Sequence, residues 1–109
     1  MKQIGVGILG FGTVGAGVAD GLLKHREVMA KRLGVDIVLK KIADLDITTD
    51  RGIVVPKEVL TTDAAAAIAD PEIQIIVETI GGTGIAKKFV LDALNAKKCV
   101  VTANKKLLA

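Results

Sequence analysis

Gly10-Phe11-Gly12-Thr13-Val14-Gly15 follows directly on an apolar run from Ile4 to Leu9 and leads into a stretch with helical spacing. The order strand, glycine turn, helix restricts the fold more than any other feature of this chain, because each glycine stands where a side chain would carry a penalty. Gly10 lets the chain leave the strand in a tight turn. Gly12 removes the side chain that would hold a pyrophosphate away from the backbone, and Gly15 lets the helix lie close on the sheet. The unpaired amides and positive dipole end of that helix then face the phosphates. The chain has 12 glycines, enough for the bare pattern to arise by chance. The weight therefore rests on its placement at the first strand-to-helix junction. A glycine turn serving only helix–sheet packing is the other reading of the same residues.

The rest of the chain alternates strand and helix. The spacing predicts a first strand over Gln3–Leu9 and one long helix over Thr13–Leu33, with Val14, Val18, Leu22, Met29 and Leu33 on its apolar stripe and Gly34 as its stop. A second strand is expected over Asp36–Ala43, then an irregular polar connection from Asp46 through Gly52 to Pro56. A short third strand lies near Val59–Thr61, and Asp63 caps an alanine-rich helix ended by Asp70-Pro71. Ile73–Thr79 is an almost unbroken apolar strand, as suits a position buried on both faces. A helix over Ile85–Lys97 and a fifth strand over Cys99–Thr102 complete the pattern. Such alternation implies an α/β fold with a doubly wound parallel sheet, the Rossmann-type dinucleotide-binding arrangement, occupying residues 1–109 as one domain. The turn at Gly10–Gly15, the segment Glu78 to Gly82 with Thr79 in it, and Thr102 to Lys105 then meet at the carboxyl ends of the strands, where such folds bind ligands. The closing Lys106-Leu107-Leu108 reads as the first turn of a further helix, so the expectation is an incomplete domain from a longer enzyme.

Composition removes several classes of function. No apolar run approaches the length of a membrane span, and Met1-Lys2-Gln3 passes straight into the first strand without the features of a signal peptide. With Cys99 as the single cysteine, an internal disulfide is impossible, and a reducing cytoplasm is the expected location. The only aromatics are Phe11 and Phe89, too few for a base-stacking surface, so a nucleic-acid partner is not expected. The net charge of +3 comes from interspersed signs and reads as a solvated surface rather than a docking patch. One histidine and one cysteine exclude a metal cluster and Cys–His catalysis. His25 reads as a boundary or surface residue, and Cys99 as a small buried hydrophobe.

Five positions draw attention for chemistry. Asp44 closes the second strand, where a carboxylate accepts hydrogen bonds from the adenosine ribose and favours NAD over NADP. The interval from Gly15 exceeds the usual spacing of about 20 residues, which the long first helix absorbs. Asp46, Lys40, Lys41 and Arg51 lie close by in sequence, and a cation among them could accommodate NADP. Lys105, just past the fifth strand, can orient a substrate oxygen or touch the cofactor, although a loop lysine is ordinarily solvated. Thr102 and Asn104 add short polar groups at the same edge and are equally ordinary turn residues. Glu78, at the end of a buried strand, needs a partner, and structuring the adjacent loop through backbone amides suits it better than acting as a base.

Taken together, the turn at 10–15, Val77-Glu78-Thr79-Ile80-Gly81-Gly82 and Val101-Thr102-Ala103-Asn104-Lys105-Lys106-Leu107-Leu108-Ala109 resemble the homoserine dehydrogenase family along the whole chain. The resemblance implies the nucleotide-binding portion of an enzyme that interconverts homoserine and aspartate 4-semialdehyde with NAD or NADP, on the route to threonine and methionine. It implies that Phe11, Thr13 and Val14 line the cofactor turn, that Gly81 and Gly82 pass near the nicotinamide half, and that Lys105 stands where cofactor and substrate meet. The family's substrate residues, second lysine, monovalent-metal site and homo-oligomer contacts belong to parts with no counterpart here, so this chain alone is expected to be inactive. Another semialdehyde- or imine-reducing dehydrogenase, or a non-catalytic nucleotide-sensing module, remain open at this point.

Overall fold

The computed structural model describes residues 1–80 and 84–103. Its strands are β1 (Gln3–Leu9), β2 (Asp36–Ala43), β3 (Leu60–Thr61), β4 (Ile75–Glu78) and β5 (Cys99–Thr102); its helices are α1 (Thr13–Lys24), α2 (Arg26–Leu33), α3 (Ala64–Ala69) and α4 (Gly84–Asn95). The strands form a five-stranded sheet in the order β3-β2-β1-β4-β5, with every pairing parallel. This is the doubly wound arrangement expected from the alternation. The chain starts in the middle of the sheet and reverses direction between β1 and β4, which opens a crevice at the carboxyl edge there.

Alternation along the strands feeds two cores. Ile8 joins Val6, Phe11, Ala16, Ala19, Leu39 and Ile42 on one face, whereas its neighbour Leu9 joins Ala43, Ile68, Ile73, Ile76 and Ala93 on the other. α1 packs on the first face through Gly15, Ala16 and Ala19, small residues that bring its axis close to the strands. The described residues include no helix long and apolar enough to cross a membrane.

Several boundaries differ from expectation. The single helix over Thr13–Leu33 is two helices that break at His25, which ends α1 with φ −107 and ψ 15 and starts α2. Of the expected apolar stripe, Val14 and Leu33 are exposed while Val18, Leu22 and Met29 are half-buried. Gly34 does end α2, in the left-handed region at φ 73. Lys57–Val59 forms a 3₁₀ turn before β3. Asp63 caps α3 by accepting the Ala66 amide at 3.1 Å. Cys99, expected to be buried, is exposed. β5 lies at the sheet edge, and Val100 takes the face that packs against Phe89 and Ala93, so Cys99 and Val101 turn the other way.

Candidate functional site

Each strand but β3 hands its hydrogen-bond ladder one residue further into the loop beyond it. Gly10 N–H donates to Ala43 O (2.8 Å), Asp44 N–H to Thr61 O (3.0 Å), Thr79 N–H to Leu9 O (2.9 Å) and Ala103 N–H to Glu78 O (3.0 Å). The loops that carry the candidate residues therefore leave the sheet from one fixed edge.

The three glycines of the turn have three different reasons to be glycine. Gly10 has φ +103, and a Cβ there would lie 2.6 Å from Thr79 Oγ1. At Gly15 a Cβ would stand 2.0 Å from Gly10 O, so α1 approaches the turn more closely than any side chain permits. At Gly12 a Cβ would meet nothing within 4 Å, and φ −81 with ψ −160 is ordinary extended backbone. Nothing among the described residues requires Gly12. It is the N-cap of α1 without a side-chain cap, and the first intrahelical bond runs from Ala16 N–H to Gly12 O at 2.9 Å. The amides of Thr13, Val14 and Gly15 come before that bond and have no intrahelical acceptor, the arrangement that suits an anion.

Thr79 and Glu78 brace this edge from below. The Thr79 hydroxyl lies 3.0 Å from Leu9 O and 3.1 Å from Gly10 O, so its one proton holds the start of the glycine turn. Glu78 is fully buried. One of its carboxylate oxygens accepts the Ile80 amide and the other accepts the Thr102 hydroxyl at 2.6 Å, tying the ends of β4 and β5 together. This matches the loop-structuring role expected for Glu78 and places the Thr102 hydroxyl on a protein partner.

On the other side of β1, Asp44 Oδ2 accepts the Phe11 amide at 2.6 Å and Oδ1 accepts the Asp46 amide at 2.9 Å. The end of β2 thus grips the middle of the glycine turn. The Phe11 side chain is buried in the core, so only its backbone belongs to the site. Asp46 in turn folds the following loop by accepting the amides of Thr48 and Thr49 (both 3.1 Å) and their hydroxyls (3.2 and 2.5 Å). These bonds, led by the Thr49 hydroxyl, hold the Asp46 carboxyl well below the usual carboxylate range. The Asp-x-Thr-Thr order is a turn signature that a closer reading of the loop would have found.

Two cavities open at this edge. One of about 330 Å³ has largely apolar walls, including Ala43, Leu45, Ile80, Ile85 and Phe89, with Gly10 and Asp44 on its rim. The other, of about 440 Å³, lies over Gly12 and Thr13 and is closed by Asp20, Asp50 and Arg51. The fold therefore brings together Gly10, Phe11, Gly12, Thr13, Val14, Gly15, Asp44, Thr79 and Thr102. Gly81, Gly82, Asn104 and Lys105 lie outside the described residues. His25 is exposed and distant in role, a helix junction.

A family profile described as "Homoserine dehydrogenase, NAD binding domain" matches residues 10–109. Homoserine dehydrogenase of Bacillus subtilis is 43% identical over 109 residues, all of this chain and 25% of that protein. The homoserine dehydrogenase of Methylobacillus glycogenes is 44% identical over the same length, 26% of its own. Among solved structures, homoserine dehydrogenase from Staphylococcus aureus at pH 7.5 superposes with a TM-score of 0.88 at 36% identity, covering 95% of this chain and 27% of that one. The Thiobacillus denitrificans enzyme gives 0.87 at 39%, covering 99% and 25%. The chain thus spans about a quarter of the length of these relatives. With the profile spanning the glycine turn and the rest of the chain after it, this chain belongs to the family of homoserine dehydrogenase NAD-binding domains.

Proposed function

We propose that this domain holds NAD(H) or NADP(H) along the carboxyl edge of its sheet. The observation that carries the reading is Gly12, whose missing side chain answers to no contact among the described residues and leaves open space over the first amides of α1. A pyrophosphate fits there, received by the amides of Thr13, Val14 and Gly15. The apolar cavity walled by Leu45, Ile80 and Ile85 suits an adenine ring. Asp44 retains lone pairs beyond those given to Phe11 and Asp46, and these accept ribose hydroxyls. Thr79 and Thr102 act as braces of the edge, and Gly81, Gly82 and Asn104 are assigned to the cofactor by the family resemblance alone. Calorimetric titration with NAD⁺ and NADP⁺ tests this. Weak binding of at least one, with Kd about millimolar or below, is expected; a folded chain giving no heat with either at that concentration overturns it.

In a polypeptide of the relatives' full length, the reaction that suits this domain is hydride transfer between homoserine and aspartate 4-semialdehyde. When bound, a nicotinamide cofactor supplies the hydride acceptor or donor. Residues 1–109 supply the cofactor's seat, and the role that the family resemblance gives Lys105 is to stabilise the charge that develops on the oxygen changing between alcohol and aldehyde. Lys105→Ala in the full-length protein is expected to lower turnover by on the order of a hundredfold with cofactor affinity nearly intact. Loss of cofactor affinity instead makes Lys105 a nucleotide contact, and no change in either removes it from the site.

A further inference from the structure

Glu78 commits three acceptors to the carboxyl edge of the sheet. Its main-chain carbonyl accepts the Ala103 amide at 3.0 Å, Oε1 accepts the Thr102 hydroxyl at 2.6 Å, and Oε2 accepts the Ile80 amide. The side chain does this while fully buried, and a buried carboxylate carries a desolvation cost that its hydrogen bonds must offset. Holding β4 and β5 together does not call for such a group. The two strands pair in register from Ile75 and Cys99 to Glu78 and Thr102, and the Ala103 bond continues that ladder one step further. What the carboxylate adds lies where the chain leaves the two strands.

The two oxygens of a carboxylate belong to one rigid planar group, so donors bonded to each are held at a set separation. Here the donors are Ile80, which directly precedes Gly81, and Thr102, which precedes Lys105 by three positions. The next residue does the matching task on the other side. The Thr79 hydroxyl lies within hydrogen-bond distance of Leu9 O and Gly10 O, at the turn that receives the phosphates. Consecutive residues at the end of β4 thus fix different parts of the crevice: Thr79 holds the β1 side, and Glu78 holds the β5 side, from which the chain continues to Lys105. Placement on this side matters for chemistry, because a misplacement of about 1 Å in a reacting constellation costs on the order of a hundredfold in rate.

We propose that Glu78 is a positioning residue for the hydride transfer, setting through the Thr102 hydroxyl where the Lys105 segment leaves the sheet. The inference rests on the reading of Lys105 given above and adds to it the residue that acts through that segment. Thr102→Val in the full-length protein tests it, because this change removes the donor to Oε1 and leaves the Ile80 bond to Oε2. Turnover of homoserine and binding of 5′-ADP are measured on the same samples, and the 5′-ADP stoichiometry counts the intact sites. Turnover per intact site is expected to fall about tenfold or more, with 5′-ADP affinity within about twofold of the parent's. Thr102→Ser keeps the hydroxyl and should recover most of the loss. Thr102→Ala repeats the deletion should the valine variant fail to fold. In a Lys105→Ala background Thr102→Val should cost less than about twofold, since a residue acting through Lys105 then has nothing left to position. Unchanged turnover, a serine variant as slow as the valine one, losses that simply multiply in the double variant, or a matching loss of 5′-ADP affinity each overturn the proposal alone. A Lys105→Ala variant as fast as the parent overturns the Lys105 reading with it, and a parent that does not bind 5′-ADP overturns the dinucleotide reading as well.

Discussion

Asp44 holds Phe11 by its backbone: the carboxylate Oδ2 accepts the Phe11 amide at 2.6 Å, from the end of β2 to the centre of the glycine turn. The bond serves two purposes. It uses up the Phe11 amide, leaving the helix amides for a ligand, and it fixes where the Asp44 carboxylate stands at the edge of the sheet.

Replacing Asp44 by alanine is expected to lower stability by about 1–3 kcal/mol, because a half-buried amide loses its acceptor. Affinity for NAD⁺ should fall more than affinity for NADP⁺, since only the former presents a free 2′-hydroxyl to the lost carboxylate. Denaturant unfolding and cofactor titration on the same variant separate the two effects. An unchanged unfolding midpoint would show that the bond contributes nothing to the fold.

Acid should destabilise the protein partly through two surface carboxylates. The bidentate bond from Arg26 holds Asp36 below its ordinary value of 3.8, and the threonine bonds do the same for Asp46. A depressed folded value favours the charged form in the native state, so this contribution is fully present above the ordinary value and is lost as pH falls through the folded one. Urea midpoints should therefore be flat across neutral pH and decline below about pH 4. Asp36→Asn should start lower at neutral pH and show a shallower decline. Parallel acid profiles for variant and parent would remove Asp36 from the account.

How much of this was legible in the sequence depended on whether the deciding contact was local. The bounds of β1, β2 and β5 were read correctly because each is a short, mainly apolar segment closed by glycine or polar residues. Asp63 as a cap and Gly34 as a stop were equally plain, since both act within one helical turn. The break at His25 was not, because Lys24-His25-Arg26 contains neither glycine nor proline, and a helix pattern continues across it. Cys99 misled for a different reason. An apolar strand looks the same in sequence at the edge and in the centre, and only the sheet order shows that, among the described residues, β5 has a helix on one face alone. In the site, the glycine turn announced itself. The hold of Asp44 on Phe11 and the brace from Thr79 to Gly10 join residues far apart in sequence, and no spacing rule encodes them.

Glu78 and Thr102 make a second test of the edge. Their 2.6 Å bond lies between a fully buried carboxylate and the end of β5. Thr102→Val leaves one Glu78 oxygen without this donor, at an expected cost of about 1–3 kcal/mol. Glu78→Gln should cost less, since an amide keeps one acceptor for Ile80 or Thr102. A double-mutant cycle with Glu78→Gln and Thr102→Val should return a coupling of about 0.5 kcal/mol or more. Strict additivity would mean that the two side chains do not act as a unit.

The glycines of the turn separate folding from binding within six residues. Gly15→Ala drives a Cβ to 2.0 Å from the Gly10 carbonyl, a contact no rotamer relieves because both partners are backbone. α1 must move off the turn, and the expected loss is about 1–3 kcal/mol or more. Gly12→Val behaves oppositely. Its backbone is already extended at φ −81, and its side chain enters space that no atom of the described residues occupies. Thermal and denaturant midpoints should stay close to the parent's, within about 0.5 kcal/mol, while the volume over the α1 amides fills and a pyrophosphate is shut out. Unfolding curves and calorimetry with NAD⁺ and NADP⁺ on both variants give the contrast directly. If Gly12→Val binds as tightly as the parent, the phosphates lie elsewhere; if it unfolds as readily as Gly15→Ala, the turn is glycine-rich for packing alone.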